Sequence, residues 1–183
     1  MKMKTVSRAA NLVAAGLFLT GFVIAPKLLK SQDLQTVPFS QFQSSQSAPY
    51  LSGTKSPKDV NNYAVDCFRF NGSPTMAVTY FKKALECGGG AAVDYNLGTA
   101  YFLAGKFESA ISEFKKAIDL NPSFAHAYYN MACAQLAGGD VEGAMASFKK
   151  AISLDPTNSK YSDGYRDALV GGTPAPCKFV KIQ

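Results

Sequence analysis

From Tyr95 onward, apolar or small residues fall at Leu97, Gly98, Tyr101, Phe102 and Ala104, spacings of three and four that mark one stripe of a helix. Gly105 breaks the stripe. A second stripe follows through Phe107, Ala110, Ile111, Phe114, Ala117, Ile118 and Leu120. Asn121-Pro122 ends it, because proline disfavours helix at the residue before it and has no N–H to donate within one. The unit is helix, tight turn, helix. It is written twice: Ala91 to Phe124 recurs 34 residues later as Ala125 to Asn158, with Tyr95/Tyr129, Asn96/Asn130, Ala100/Ala134, Gly105/Gly139, Ala110/Ala144, Phe114/Phe148, Leu120/Leu154 and Pro122/Pro156 in register. Small residues at Gly98 (Ala132 in the second copy), Ala110 and Ala117 let two helices approach, and Leu97, Tyr101, Phe107 and Phe114 fill the space beside them.

A weaker copy precedes these two. Tyr80 to Leu85 lies 33 residues before Glu113 to Ile118, which puts Ala77 at the place of Ala110, Val65 at that of Gly98 and Phe68 at that of Tyr101. Ser73-Pro74 is a helix start, an N-cap followed by proline in the first turn. Gly88-Gly89-Gly90 replaces the Asn-Pro stop and predicts a less tightly docked first hairpin. A stripe through Tyr161, Tyr165, Ala168 and Leu169 supplies the atypical last helix that a repeat array needs to cover its end. The pattern predicts an all-α, right-handed helical-hairpin solenoid. Its expected units are 58–90, 91–124 and 125–158, a capping helix over 159–170, and a tail over 171–183 with two prolines and no periodicity, read as loop or loosely attached strand.

The Leu-Gly pair at 97 and 98, Tyr101, Ala110, Phe114, Ala117 and Pro122, in this order and spacing, resemble the tetratricopeptide repeat; the second copy departs at Met131, Ala132 and Gln135. The resemblance implies three such repeats and a non-catalytic protein-protein interaction module. It also implies a concave face lined by the first helix of each hairpin: Asn62, Asp66 and Arg69; Tyr95, Asn96, Thr99 and Phe102; His126, Tyr129, Asn130 and Cys133. Side-chain amides both donate and accept, so Asn96 and Asn130, one repeat apart, suit the backbone of an extended peptide whose side chains Tyr95 and Tyr129 would pack. The bland alternative is asparagines that simply follow the repeat consensus. Members of the family that grip acidic chaperone tails carry Lys, Asn, Lys and Arg where this chain has Asn62, Asp66, His126 and Asn130. Asp66 would repel a carboxylate, so a neutral or mixed peptide is expected.

The amino end is of another kind. Lys2, Lys4 and Arg8 precede an uncharged run from Ala9 to Ala25, whose length as a helix is roughly 25 Å, the lower limit for a bilayer core. Residues 1–30 read as a transmembrane anchor contacting the bilayer through residues 9–25, with the repeats exported to the periplasmic side; the basic flank stays inside. A cleaved secretory signal is the alternative, Val23-Ile24-Ala25 nearly fitting a cleavage site that Pro26 disfavours. Residues 31–57, rich in Ser and Gln, read as a flexible linker in which Phe39, Phe42, Tyr50 and Leu51 are candidate docking aromatics.

The formal net charge of +6 raises nucleic acid as a partner. Residues 1–57 hold Lys2, Lys4, Arg8, Lys27, Lys30 and Lys55 against Asp33 alone, so the repeats are almost neutral and no nucleic acid is expected. Lys-Lys pairs beginning at Lys82, Lys115 and Lys149 read as a solvated convex row.

No catalytic residues, cofactor or metal site are expected. His126 and Cys133 lie seven residues apart on one helix, roughly 10.5 Å of rise and beyond hydrogen-bond reach. Cys67, Cys87, Cys133 and Cys177 lack metal-ligand spacing. Four cysteines allow three pairings and the sequence selects none; a Cys133–Cys177 bond would clamp the tail across the array, and free buried thiols are the alternative. Two settings stay open: a membrane-tethered scaffold or adaptor in envelope assembly, and an organelle-anchored receptor or assembly factor facing the cytosol. A secreted adaptor is the third.

Overall fold

The computed structural model describes residues 22–23, 37–38, 50 and 55–183, and the chain divides into two units, Met1–Pro49 and Tyr50–Gln183. In the first, strand β1 (Phe22–Val23) pairs antiparallel with β2 (Val37–Pro38), Phe22 facing Pro38 and Val23 facing Val37. Two residues of the expected membrane helix therefore lie in a strand, and the rest of the 9–25 run lies outside the described residues. Among the described residues no helix is long and apolar enough to cross a membrane.

Among the described residues the second unit has seven helices: α1 (Pro57–Asn71), α2 (Pro74–Glu86), α3 (Ala91–Leu103), α4 (Phe107–Leu120), α5 (Ala125–Ala137), α6 (Val141–Leu154) and α7 (Ser159–Leu169). Three hairpins and a cap form the expected all-α helical-hairpin solenoid. Ser56 caps α1 by accepting from the Asp59 N–H, and Asp140 caps α6 by accepting from the Gly143 N–H. Gly105 and Gly139, at φ of 72° and 89°, make the turns inside the second and third hairpins, a conformation closed to most side chains.

The core repeats with the sequence. Phe81, Phe114 and Phe148 on the second helices are completely buried, as are Ala77, Ala110 and Ala144 above them and Ala84, Ala117 and Ala151 below. Alanines at these places bring the helices close enough for each phenylalanine to fill the interval between hairpins. At Gly98 the approach leaves no room for a side chain: an added Cβ would stand 2.7 Å from Cε1 of Phe114. Gly98→Val should therefore cost about 1–3 kcal/mol, because Phe114 is fully enclosed and cannot swing away. Chemical denaturation of Gly98→Val alone and with Phe114→Leu checks this, the second change being expected to restore part of the loss.

Two expectations for the first hairpin need correction. Val60, Ala64, Val65, Phe81 and Ala84 are at most 1% exposed, so this hairpin is packed as fully as the others. The Gly88–Gly90 turn contributes: the Gly89 N–H donates to the Ala84 carbonyl, and Gly89 packs so near Val93 that a Cβ would meet its Cγ2 at 2.8 Å. The 33-residue register, moreover, holds only for α2. The turn between α1 and α2 is one residue shorter than those between α3 and α4 or α5 and α6. Helix α1 thus stays in the 34-residue register: Ala64, not Val65, matches Gly98, and Asn62 stands level with Asn96 and Asn130.

Of the candidate linker aromatics, Tyr50 alone lies among the described residues; its ring stacks on Tyr63 of α1, centroids 4.0 Å apart and planes 8° from parallel. The lysine row is as expected on the outer side. Lys82, Lys115 and Lys149 are exposed, and Lys82 and Lys149 lie over the rings of Tyr101 and Tyr165.

Candidate peptide groove

The first helices place Asn62, Asn96 and Asn130 in a row one repeat apart. The tail beyond α7, expected to be loose, lies along this row as a segment without regular secondary structure. Asn130 Oδ1 accepts from the Cys177 N–H at 2.6 Å and its Nδ2 donates to the Cys177 carbonyl at 3.2 Å. Asn96 holds Val180 in the same two-pronged way, at 2.8 and 2.7 Å, and Asn62 holds Ile182 at 2.9 and 2.9 Å. Each amide copies the donor and acceptor of a neighbouring strand's peptide group, so it pairs with backbone whatever the side chain there. The tail runs backwards through the repeats, from the third to the first.

Tyrosines and a second amide layer fix the asparagines. Tyr95 and Tyr129 have rings buried in the core, at 0% and 2% exposure, and present only their hydroxyls to the groove, donating to the carbonyls of Lys178 and Ala175. Sequence reasoning gave these rings a peptide's side chains to pack; the helices cover them instead. Burial pushes both phenols well above their ordinary range, which keeps them protonated donors. Asn130 Nδ2 also reaches the Tyr95 hydroxyl and the Thr99 hydroxyl, each at 3.1 Å, and Thr99 donates to the Tyr95 carbonyl. One repeat earlier Asn61 takes the place of Tyr95: its Oδ1 accepts from Asn96 at 2.7 Å and its Nδ2 donates to the Val180 carbonyl. Among the described residues no buried side-chain polar atom lacks a partner.

The other expected groove residues divide. Asp66 forms an ion pair with Lys181 at 2.8 Å. Arg69 is exposed and forms no ion pair among the described residues, and Phe102 packs on Phe107 at its own hairpin turn. His126 is half-buried with Nδ1 3.0 Å from the Tyr161 hydroxyl, facing the cap helix rather than the tail. Cys133 is buried, and burial with Cys177 close by pushes its thiol up to about 12; Cys177, also buried, is pushed up to about 11. All four cysteines are free thiols, so no Cys133–Cys177 bond holds the tail in this structure. The His126–Cys133 pairing dismissed on spacing is dismissed again on chemistry, since the imidazole is engaged elsewhere and the thiolate is disfavoured.

Residues missed by sequence reasoning are Asn61, Lys160, whose Nζ donates to the Pro176 carbonyl, and the tail itself. The signal for the tail was present: Cys177, Phe179, Val180 and Ile182 are apolar, with Lys178, Lys181 and Gln183 between and after them. Phe179 lies against Phe68 and Phe81, ring centroids 4.7 and 5.4 Å away.

Burial lowers the His126 pKa below its ordinary value, with Asp155 partly opposing. The unfolded chain then binds the proton more readily than the folded one. The contribution of the neutral ring to stability is full above the unfolded value near 6.5 and is lost as pH falls through the lower folded value. Melting curves of the wild type and His126→Gln should diverge most at neutral pH and converge on acidification below about pH 6.5.

Residues 95–159 match the family model described as tetratricopeptide repeat. The fold is that of a tetratricopeptide solenoid. Similar solved structures include the first such domain of Spaghetti (RPAP3) bound to an HSP90 peptide, with 21% identity and a TM-score of 0.60 over 63% of this chain and 92% of that one. The Arabidopsis OM64 domain shares 18% identity with a TM-score of 0.60, covering 65% and 98%. MamA shares 21% with a TM-score of 0.59, covering 72% and 76%. A search of curated proteins gave no match.

Proposed function

We propose that this chain is a non-catalytic interaction module whose concave face binds an extended protein segment, held at a membrane by residues 9–25 with the repeats on the exported, periplasmic side, where it acts as a scaffold or adaptor in assembling envelope proteins. The observation that carries the binding reading is the row of Asn62, Asn96 and Asn130, each meeting both backbone polar atoms of one tail residue. Three two-pronged contacts in a 34-residue register form a backbone-binding rail, and main-chain hydrogen bonds of this kind supply affinity in strand-like peptide recognition. Further support comes from structural relatives: the Spaghetti (RPAP3) domain was solved with an HSP90 peptide and the second human RPAP3 domain with an HSP70 peptide. Those peptides end in acidic residues. In this groove Asp66 meets a lysine, so a neutral or basic segment is the expected ligand.

A chain ending at Gly172 presents the groove without its tail. Screened against an array of extended peptides, it should retain a subset that the full chain retains poorly. A shortened chain with intact helical circular dichroism that captures no peptide would rule out the binding reading. Membrane placement is tested separately, by a reporter fused after Gln183 that is active only outside the cytoplasm and by retention in carbonate-washed membranes.

A further inference from the structure

We propose that the groove selects a segment of the pattern small apolar, any, aromatic, aliphatic, basic, aliphatic, and that Cys177 to Ile182 is the chain's own copy of that ligand. The inference rests on the peptide-binding reading and adds the identity of the ligand. Because the asparagines fix the backbone at 177, 180 and 182, every side chain between them falls at a set place. Cys177 is buried near Cys133, and a small apolar side chain fills its place. Lys178 points to water, so its place is permissive. Phe179 lies in an aromatic site made by Phe68 and Phe81, on the first hairpin. Val180 packs against the core cluster of the second and third hairpins, Ile182 against that centred on the first, and Lys181 meets Asp66.

The backbone contacts are indifferent to sequence, so selectivity comes from these side-chain places. Phe179 offers the largest apolar surface and sets the register; Lys181 sets the charge. A carboxylate at its place would face Asp66, which disfavours acidic segments. The tail satisfies every place at once. As part of the same molecule it competes with any external segment at high effective concentration.

The test uses fluorescence anisotropy with a labelled peptide of residues 173–183 carrying Cys177→Ser, on the full chain and on the chain ending at Gly172. The peptide should bind the shortened chain and bind the full chain at least about 10-fold more weakly. Phe179→Ala in the peptide should weaken binding about 10- to 100-fold, as expected for a buried phenylalanine. Lys181→Glu should weaken it about 3- to 10-fold, and Asp66→Lys in the protein should reverse that preference. Should the shortened chain fail to fold, the full chain with Val180→Pro replaces it, since this removes the N–H given to Asn96 and touches the tail alone. Equal affinity for a scrambled peptide overturns the pattern while leaving peptide binding in place. No binding of any peptide to a folded, tail-released chain overturns both.

Discussion

Replacing Asn130 by leucine, which keeps the shape of the side chain and removes its polar atoms, is expected to release the tail from the third repeat and lower stability by about 2–4 kcal/mol. The Cys177 N–H and carbonyl lose their partner in a place closed to water, and each stranded group costs about 1–3 kcal/mol if it stays. Lifting the segment into solvent is the cheaper response. Hydrogen exchange should then show loss of amide protection at Cys177 and, more weakly, at Val180 and Ile182. Alkylation of Cys177, slow in the wild type because its thiol is buried and hard to ionise, should accelerate. Protection and alkylation unchanged from wild type would mean that Asn130 does not hold the tail. Asn130→Asp is the informative companion. It keeps the acceptor for the Cys177 N–H but puts a second acceptor opposite the Cys177 carbonyl, so it should release the tail as well.

The second large effect belongs to the core. Phe114→Ala should cost about 3–5 kcal/mol, the range for emptying a fully enclosed aromatic site. That is a large share of the 5–15 kcal/mol typical of a folded domain, so the variant is expected to unfold at much lower denaturant. Its ring lies 6.0 Å from that of Tyr95 and against Gly98, so the cavity opens directly beneath the groove. Loss of tail protection should accompany the loss of stability. Leu120→Ala, at a side chain 62% exposed, is the control and should change stability by no more than about 0.5 kcal/mol. Urea denaturation of both variants measures the contrast.

The repeat carried the architecture because burial recurs with it: Ala77, Ala110 and Ala144, then Phe81, Phe114 and Phe148, 33 and then 34 residues apart, occupy equivalent places in three hairpins. The first hairpin was misread by one residue. A strong match on α2 was extended across a shortened turn to α1, where fewer residues agree. Asn62, Asn96 and Asn130 were legible as groove residues, since a polar side chain recurring on the first helices has no packing role. Their ligand was not legible, because the tail has neither helical period nor consensus and its docking joins residues more than a hundred positions apart. Burial also decided the roles of the tyrosines. Position on the inner helix placed them at the groove, but only the packed rings of Phe114 and Phe148 show that the hydroxyl alone emerges.

Stacks of helical hairpins ordinarily join each unit only to its neighbours, so the ends can fray while the middle stays folded. Here one tail segment crosses all three hairpins, anchored at Cys177, Val180 and Ile182. It closes what would be a linear stack into a circuit, tying the first unit to the last. Opening either end requires breaking the contacts of that segment, which makes melting of the array more nearly all-or-none than its repeating sequence implies.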